Sequence, residues 1–314
     1  MGQQRKIVLV TGANGFVGTA LVKYLLETGE YYLRCATRTN ANWSRNVAGF
    51  TIGDIDGTTN WQTAIKGVGV VVHLAARVHV MRDRSTNSLQ EFRRVNVQGT
   101  LALAEQAATN GVKRFVFLSS VKVNGEEGVF SEVSDPAPLD DYGVSKNEAE
   151  IGLREIAQRT GMEVVIIRPP LVYGPGVKAN FQSLQRLVTR GIPLPFADVR
   201  NKRSLVGIDN LTNFINVAMT HLFAANETFF VSDGNDLSTS QLVQAMARAE
   251  GRAARLFSVP GSLLMAAASA VGKRSMAQRL LGTLQVDISK AQRLLSWKPV
   301  FSVDEGLRRV ASAS

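Results

Sequence analysis

Apolar and polar residues alternate in blocks along the first half of the chain. Residues 7–10, Ile7-Val8-Leu9-Val10, form a short all-apolar run, the pattern of a strand buried on both faces of a parallel sheet. Helical spacing follows over 16–27, where Phe16, Leu21, Leu25 and Leu26 supply the apolar positions. Further strands are expected at 33–36, 68–74 and 113–118. A long helical stretch over 89–109 separates the last two and ends at Asn110-Gly111, a stop signal. A helix over 142–159 closes at Gly161, and a buried strand over 163–168 is halted by Pro169-Pro170. This strand–helix rhythm predicts an α/β fold built on a doubly wound parallel sheet.

The rhythm loosens after Pro169, where Gly174, Pro175, Gly176, Gly191, Pro193 and Pro195 recur. Helices are expected over 209–223 and 239–249, the second opened by a capping box of Ser238 and Gln241. Residues 228–231 look like a strand returning to the sheet. The division implied is a Rossmann-like domain over 1–170 and a smaller, mainly substrate-binding lobe over 171–314, with about 203–235 returning to the sheet.

Composition narrows the function classes. The chain has 314 residues, 45% hydrophobic and 20% charged, as ordinary globular proteins do. Its net charge of +10 is scattered, with the densest runs at Arg93-Arg94, 200–203, Lys273-Arg274 and Arg308-Arg309. No helix reads as a basic stripe with interleaved aromatics, so nucleic acid is not an expected partner. Such a field favours small polyanions. The single cysteine, Cys35, cannot form an internal disulfide and suits a reducing compartment. The first apolar run is too short for a signal-peptide core, and a cytoplasmic location is expected. The longest uncharged stretch, 256–272, is interrupted by Pro260 and Gly261 and falls short of the ~20 residues a spanning helix needs. It reads as an apolar helix of the second lobe. A peripheral membrane contact is the alternative, because Arg252, Arg255, Lys273 and Arg274 flank it. The three histidines, His73, His79 and His221, show no metal-ligand spacing, and no metal is expected.

Gly12, Gly15 and Gly18 follow the first strand and open the first helix. The first glycine allows a tight turn, the second lets backbone approach a pyrophosphate, and the third lets helix and sheet pack closely. The phosphates then meet the helix N-terminus. Strand before and helix after are the context a dinucleotide site requires.

The spacing here is GxxGxxG, which resembles the extended short-chain dehydrogenase/reductase family, especially its nucleotide-sugar epimerases, dehydratases and reductases. Gly53-Asp54-Ile55 resembles the family's adenine-contacting segment, and His73-Leu74-Ala75-Ala76 its strand end against the cofactor. Asn96 sits in Val95-Asn96-Val97-Gln98-Gly99-Thr100, a typical helix segment of the family. The run from Arg168-Pro169-Pro170-Leu171 to Gly174-Pro175-Gly176 resembles the loop leading from nicotinamide to substrate. The resemblance therefore implies Gly12, Asn14, Gly15, Phe16, Val17, Gly18, Asp54, Ile55, Leu74, Ala75, Ala76, Asn96, Pro169 and Leu171 as cofactor-binding residues. The second strand ends Cys35-Ala36-Thr37-Arg38 with no carboxylate. A ribose 2′-phosphate would prefer Arg38 to an acid. Thr37 and Arg38 thus favour NADP(H) over NAD(H).

Tyr142 and Lys146 stand four apart, on one face of a helix. The lysine's charge is expected to lower the tyrosine pKa and tune it for proton exchange. The resemblance adds the nicotinamide ribose as a ligand of Lys146 and aligns Ser120 with the family's catalytic Ser/Thr, anchored on Val123-Asn124-Gly125. Ser119 is a rival, and Asn124 replaces the family's tyrosine. Dehydratases of the family resemble Thr-Asp-Glu at this point, where Ser120-Val121-Lys122 stands here, which argues against dehydration of a hexose.

On the substrate side the resemblance implies Val80, Ser120, Asn180, Phe196 and Arg203, with Val80 and Met81 facing the sugar and Arg203 on the diphosphate. His79 is expected to be structural. The closing segment 287–299, ending Trp297-Lys298-Pro299, resembles the family's structural C-terminus. The function expected is NADPH-dependent 4-ketoreduction of a UDP-sugar, UDP-4-keto-6-deoxy-N-acetylglucosamine foremost, in O-antigen or lipopolysaccharide precursor synthesis. The alternative is a UDP-glucose or UDP-N-acetylglucosamine 4-epimerase with bound NAD. A third reading, a non-catalytic NADP sensor, is disfavoured by the intact tyrosine–lysine pair. A homodimer is expected.

Overall fold

The structure, a computed structural model, describes residues 5–78 and 87–312. His79, Val80 and Met81 lie outside the described residues. The chain opens with β1 (Lys6–Thr11), α1 (Phe16–Thr28), β2 (Tyr31–Thr37), β3 (Val47–Thr51), α2 (Gln62–Ile65) and β4 (Val70–His73). Next comes α3 (Ser88–Phe92), which passes through a π-helical stretch, Arg93–Gly99, into α4 (Thr100–Thr109). Then follow β5 (Arg114–Leu118), β6 (Gly128–Phe130), α5 (Asp141–Thr160), β7 (Glu163–Arg168), β8 (Leu171–Tyr173) and α6 (Ala179–Thr189). The last third holds β9 (Leu205–Gly207), α7 (Ile208–Thr220), β10 (Thr228–Phe230), α8 (Thr239–Ala249), α9 (Gly261–Ala270), α10 (Arg274–Leu281), β11 (Leu284–Val286), α11 (Ser289–Leu295) and α12 (Val303–Ser312).

Seven strands form one sheet in the order β10-β7-β5-β4-β1-β2-β3, every pairing parallel. The fold is thus the doubly wound α/β sheet that the strand–helix rhythm predicts. Alternate residues of each central strand feed two different cores. Val8, Val10, Val70, Val72, Val165 and Ile167 enter the cluster that α1 and α7 cover, whereas Leu9, Val71, Phe115, Phe117, Val164 and Ile166 enter the one under α4 and α5. Period-2 alternation with both faces buried is why these strands read as unbroken apolar runs.

A third cluster, around Tyr173, Phe181, Leu194, Val243 and Leu307, is a separate core in the part of the chain that the sequence assigns to a second lobe. Its closing segment is tied back to the sheet domain: Trp297 Nε1 donates to Asn213 Oδ1 at 2.8 Å and its ring meets Phe214 edge-on. The Ser238–Gln241 capping box is present at the start of α8.

Some elements differ from expectation. β3 escapes a pattern search because it is a half-exposed edge strand with no apolar run. The 256–272 stretch becomes α9, ten residues long, and none of them is buried.

Candidate active site

The chain runs outward from β1 through β2 to β3, then returns to place β4 on the other side of β1. The connections at the carboxyl ends of β1 and β4 therefore diverge, leaving the crevice where doubly wound sheets bind ligands. A cleft of about 860 Å³ opens there, in the size range of small-molecule sites.

The glycine turn forms its floor. Gly12 has φ +63°, and a Cβ there would stand 2.8 Å from the Ala75 nitrogen. A Cβ on Gly18 would stand 2.1 Å from the Gly12 carbonyl oxygen. Both positions therefore need glycine, one for conformation and approach, the other for packing. Helix α1 begins at Phe16 with no capping side chain and no acid in its first turn. Its N-terminal N–H groups and positive dipole end are left for an anion. Thr11 and His73 brace the turn: Thr11 Oγ1 accepts from the Leu74 and Ala75 N–H groups, both at 3.2 Å, and lies 2.7 Å from His73 Nδ1. His73 Nε2 meets Thr100 Oγ1 at 2.9 Å. Burial, and next the Lys146 charge, push the His73 pKa down to about 3, so this imidazole is a neutral structural link.

Asn14, Gly15, Phe16 and Val17 line the cleft with Gly12 and Gly18, and Leu74, Ala75 and Ala76 line it from the end of β4. Thr37, Arg38, Asp54 and Ile55 close the far end. Trp61 lines it too, and its indole N–H is buried without a hydrogen-bond partner among the described residues. These features fit a dinucleotide: a glycine floor that a Cβ would fill, an uncapped helix N-terminus and a free buried donor. Arg38 is not a lone cation, since its Nη1 lies 3.9 Å from the Asp54 carboxylate, both groups well exposed. The free guanidinium on which the NADP(H) expectation rested is half of an ion pair.

Ser120, Tyr142, Lys146 and Pro169 line the inner end. Ser120 caps a short 3₁₀ turn, Val121–Val123. That loop is held on the end of the sheet by Ser119 N–H to Ile167 O at 2.7 Å and Val121 N–H to Pro169 O at 3.0 Å. Helix α5 starts beside it. Asp140 caps the helix by accepting from Gly143 N–H at 2.8 Å, and Lys122 pairs with both Asp140 and Glu126. Gly143 lets the two segments touch, because a Cβ there would stand 2.6 Å from the Lys122 carbonyl oxygen.

The two serines separate by their partners. Ser119 Oγ donates to Glu150 Oε1 at 2.6 Å, inside the protein. Ser120 is hydrogen-bonded to Tyr142 on the cleft wall. Lys146 is 2% exposed, with its ammonium 4.1 Å from the Phe117 ring centroid. Burial brings its pKa down to about 7, and Glu150 one turn further along α5 opposes that shift. The expected depression of the Tyr142 pKa is not found. Burial, and next the Asp140 charge, push the phenol above its ordinary value, while the Ser120 hydrogen bond pulls the other way. Desolvation of the charged form is the largest cause, and the Asp140 charge adds to it.

Other expected site residues stand elsewhere. Asn96 does not line the cleft. It is buried, accepts from Arg77 N–H at 2.7 Å, and donates to Arg77 O and Ser145 Oγ, both at 3.0 Å. It thereby ties the loop after β4 to α5. Leu171 points outward, 45% exposed, and its neighbour Val172 lines the cleft instead. Asn180 is exposed on α6, and Phe196 packs on the second lobe's core. Arg203 is half-buried in the second lobe, where its Nη1 donates to Gly282 O at 3.2 Å. None of these three lines the cleft. Val80 falls outside the described residues.

Sequence reasoning missed the group behind the wall. Glu150, fully buried, accepts from Arg168, Arg154 and Ser119. Arg168 Nη1 also donates to Asn124 Oδ1 at 2.9 Å, which gives the residue in place of the family's tyrosine a structural partner. The available signal was spacing: Glu150 follows Lys146 by one helical turn. Cys35 is buried, and burial pushes its thiol up to about 12, so it is an inert packing group. Among the described residues no cluster of His, Cys, Asp and Glu could hold a metal ion. No described helix is long and apolar enough to cross a membrane.

The chain resembles known proteins along its length. It is 47% identical over 313 residues to a protein of Vibrio cholerae named UDP-glucose 4-epimerase, covering 98% of this chain and 95% of that one. It is 30% identical over 239 residues to an Escherichia coli O157:H7 protein named N-acetyl-alpha-D-glucosaminyl-diphospho-ditrans,octacis-undecaprenol 4-epimerase, covering 75% of this chain and 70% of the relative. Among solved structures, MoeE5 in complex with UDP-glucuronic acid and NAD superposes with a TM-score of 0.77 at 26% identity, covering 98% of each chain. Residues 8–232, from β1 through the strand that returns beside β7, match the profile described as "Epimerase: NAD dependent epimerase/dehydratase family". The stretch matched holds the switch-point cleft together with Ser120, Tyr142 and Lys146, and the chain is an enzyme-type member of the NAD dependent epimerase/dehydratase family, within the extended short-chain dehydrogenase/reductases.

Proposed function

We propose that this protein interconverts the C4 epimers of a UDP-hexose, UDP-glucose or UDP-N-acetylglucosamine, with NAD as a retained cofactor. The observation that carries the reading is the 47% identity, over nearly both whole chains, to a protein named UDP-glucose 4-epimerase. The second relative is also named a 4-epimerase. These names support the epimerase over the 4-ketoreductase expected from sequence alone. NAD is preferred to NADP(H) because the Asp54 carboxylate beside Arg38 would repel a 2′-phosphate. The NAD complex of MoeE5 supports the same choice.

In this reading Gly12, Gly15 and Gly18 admit the pyrophosphate to the start of α1, and Arg38 and Asp54 flank the adenosine end. Bound NAD supplies a reversible hydride acceptor. Tyr142 exchanges a proton with the C4 oxygen, and Ser120 hydrogen-bonds that oxygen. Protonated Lys146, on the same face of α5, balances the charge when Tyr142 gives up its proton. Arg203 is kept as a candidate diphosphate contact, Asn180 and Phe196 as candidate neighbours of the nucleotide and sugar. The reading includes a cytoplasmic homodimer, for which sedimentation velocity is the check on assembly.

The deciding experiment incubates purified protein with UDP-glucose or UDP-N-acetylglucosamine and follows the products by proton NMR. Formation of the C4 epimer to an equilibrium mixture, without added or consumed nicotinamide, is the expected result. Stoichiometric oxidation of NADPH by UDP-4-keto-6-deoxy-N-acetylglucosamine, with no epimer formed from either hexose, would replace the proposal by the ketoreductase. Tyr142→Phe is expected to slow turnover by roughly 10²–10⁴-fold.

A further inference from the structure

In helix α9, composition and burial disagree. Its sequence, Gly261-Ser262-Leu263-Leu264-Met265-Ala266-Ala267-Ala268-Ser269-Ala270, is apolar around most of its circumference, with only Ser262 and Ser269 carrying polar side chains. A helix of that kind normally lies inside a protein or in lipid. Here none of its residues is buried, and its main neighbour is α10. Leu263 is 60% exposed and Val271, just beyond the helix, 67%. Phe257, on the way in, is also exposed.

The charge pattern around α9 is one-sided. No Asp or Glu occurs between Glu250 and Asp287, whereas Arg252, Arg255, Lys273, Arg274 and Arg279 do. Arg279 is drawn back to Glu126 at 3.6 Å, and Arg252 donates to the Thr189 carbonyl. Arg255, Lys273 and Arg274 are exposed, and none pairs with a carboxylate among the described residues. Apolar side chains beside unpaired cations are complementary to a layer that offers hydrocarbon below and anionic headgroups above.

The hairpin of α9 and α10 is anchored firmly on the body of the second lobe. Before α9, Leu194 N–H donates to Arg255 O at 2.9 Å and Phe257 N–H to Leu194 O at 3.0 Å. After α10, Asn201 Nδ2 donates to Leu280 O at 3.1 Å and Gly282 O at 2.8 Å. Both ends are thus clamped to one loop, 194–203, so a force on the hairpin is carried by that loop.

We infer that α9 with its cationic rim docks this protein on the surface of a bilayer rich in anionic phospholipid. The helix is too short to cross a bilayer and lies in the interface. A second copy of this chain fits the patch poorly. A two-fold contact through α9 would set the same cationic rim against itself, at like-charge cost. The inference does not depend on which UDP-sugar the cleft takes, and the soluble-substrate assay described above tests that reading separately.

The test is flotation of the full-length protein with vesicles of phosphatidylcholine alone and of phosphatidylcholine with phosphatidylglycerol. Binding is expected only to the anionic vesicles, weakening several-fold as salt screens the cations. Each cation near such a surface contributes about fivefold to partition. K273S with R274S is therefore expected to weaken binding on the order of 25-fold. Leu263→Asp is expected to lower it further, with thermal midpoint and turnover of soluble UDP-hexose unchanged in both variants. Absence of binding to anionic vesicles would overturn the proposal, and so would binding that neither variant weakens. A dimer that Leu263→Asp converts to monomer, with no vesicle binding by the parent, would assign α9 to a second copy instead.

Discussion

Glu150 and Arg168 meet inside the protein in a two-point pair, with Nε donating to Oε1 at 2.9 Å and Nη2 to Oε2 at 2.5 Å. The pair links β7 to α5 behind the wall that carries Tyr142 and Lys146, and Ser119 Oγ joins it at 2.6 Å. Removing Glu150 strands the buried Arg168 charge, and removing Arg168 leaves Glu150 only the part-exposed Arg154, each at a cost of about 3 kcal/mol. Arg168→Met and Glu150→Gln are each expected to lose stability of that order in urea unfolding. Losses below ~1 kcal/mol in both variants would mean that the pair is structurally idle.

Gly143 sits in the first turn of α5, where its missing Cβ lets the Ser120 loop close on the helix. Alanine is the better helix former by ~1 kcal/mol, but its Cβ would press on the Lys122 carbonyl and shift Tyr142 relative to Ser120. A misplacement near 1 Å costs on the order of 10²-fold in rate. Gly143→Ala is expected to lower kcat by about that factor with dinucleotide affinity retained. A wild-type kcat would show that the loop yields at no cost to the site.

Lys146 titrates at about 7 because burial disfavours its charge. Between that pH and its ordinary range near 10.5, the unfolded chain holds a proton that the folded chain lacks. Stability of the ligand-free protein is therefore expected to rise with pH through this window. Lys146→Met removes the penalty. It is expected to melt at a higher temperature than wild type at neutral pH, to lose that pH dependence, and to abolish turnover. Scanning calorimetry at several pH values checks this, and an equal or lower midpoint at neutral pH would contradict it.

His73 gives the opposite end of the pH range. Its folded pKa of about 3 lies far below the ordinary 6.5, so acid protonates the unfolded chain first. Stability is constant above the unfolded value and is lost as pH falls from 6.5 towards 3. Between pH 8 and pH 5 the loss from this group is about 2 kcal/mol. His73→Gln, which keeps a polar group between Thr11 and Thr100, is expected to lose less stability over that interval by about this amount. Parallel urea curves at the two pH values give the comparison, and equal pH dependence in both proteins would refute it.

Features set by a few neighbouring residues were legible before folding. The central strands declare themselves because burial on both faces demands unbroken apolar runs, as in 7–10 and 163–168. The glycine turn declares itself because Gly12 must adopt positive φ and Gly18 must pack on the Gly12 carbonyl. Tyr142 and Lys146 share a face because four residues make one helical turn. β3 stayed hidden because a half-exposed edge strand needs no such run.

The rest depended on partners far away in the chain. Ser119 and Ser120 are identical neighbours, and only the presence of Glu150 behind one and Tyr142 beside the other assigns them different work. Asn96 turned out to tie a loop to α5 because Arg77 and Ser145 converge on it. Arg38 ceased to be a free cation once β3 carried Asp54 to its side. The sign of the Tyr142 shift reversed because burial, which no linear spacing reveals, is its largest cause, and the Asp140 charge acts in the same direction. The sequence by itself determined the strands, the glycine turn and the helical pairing, all requirements on local conformation. Which neighbours each polar group meets, and how far water is excluded from it, only the tertiary structure decided, since charge and hydrogen-bond energies depend on distance and solvent rather than on order along the chain.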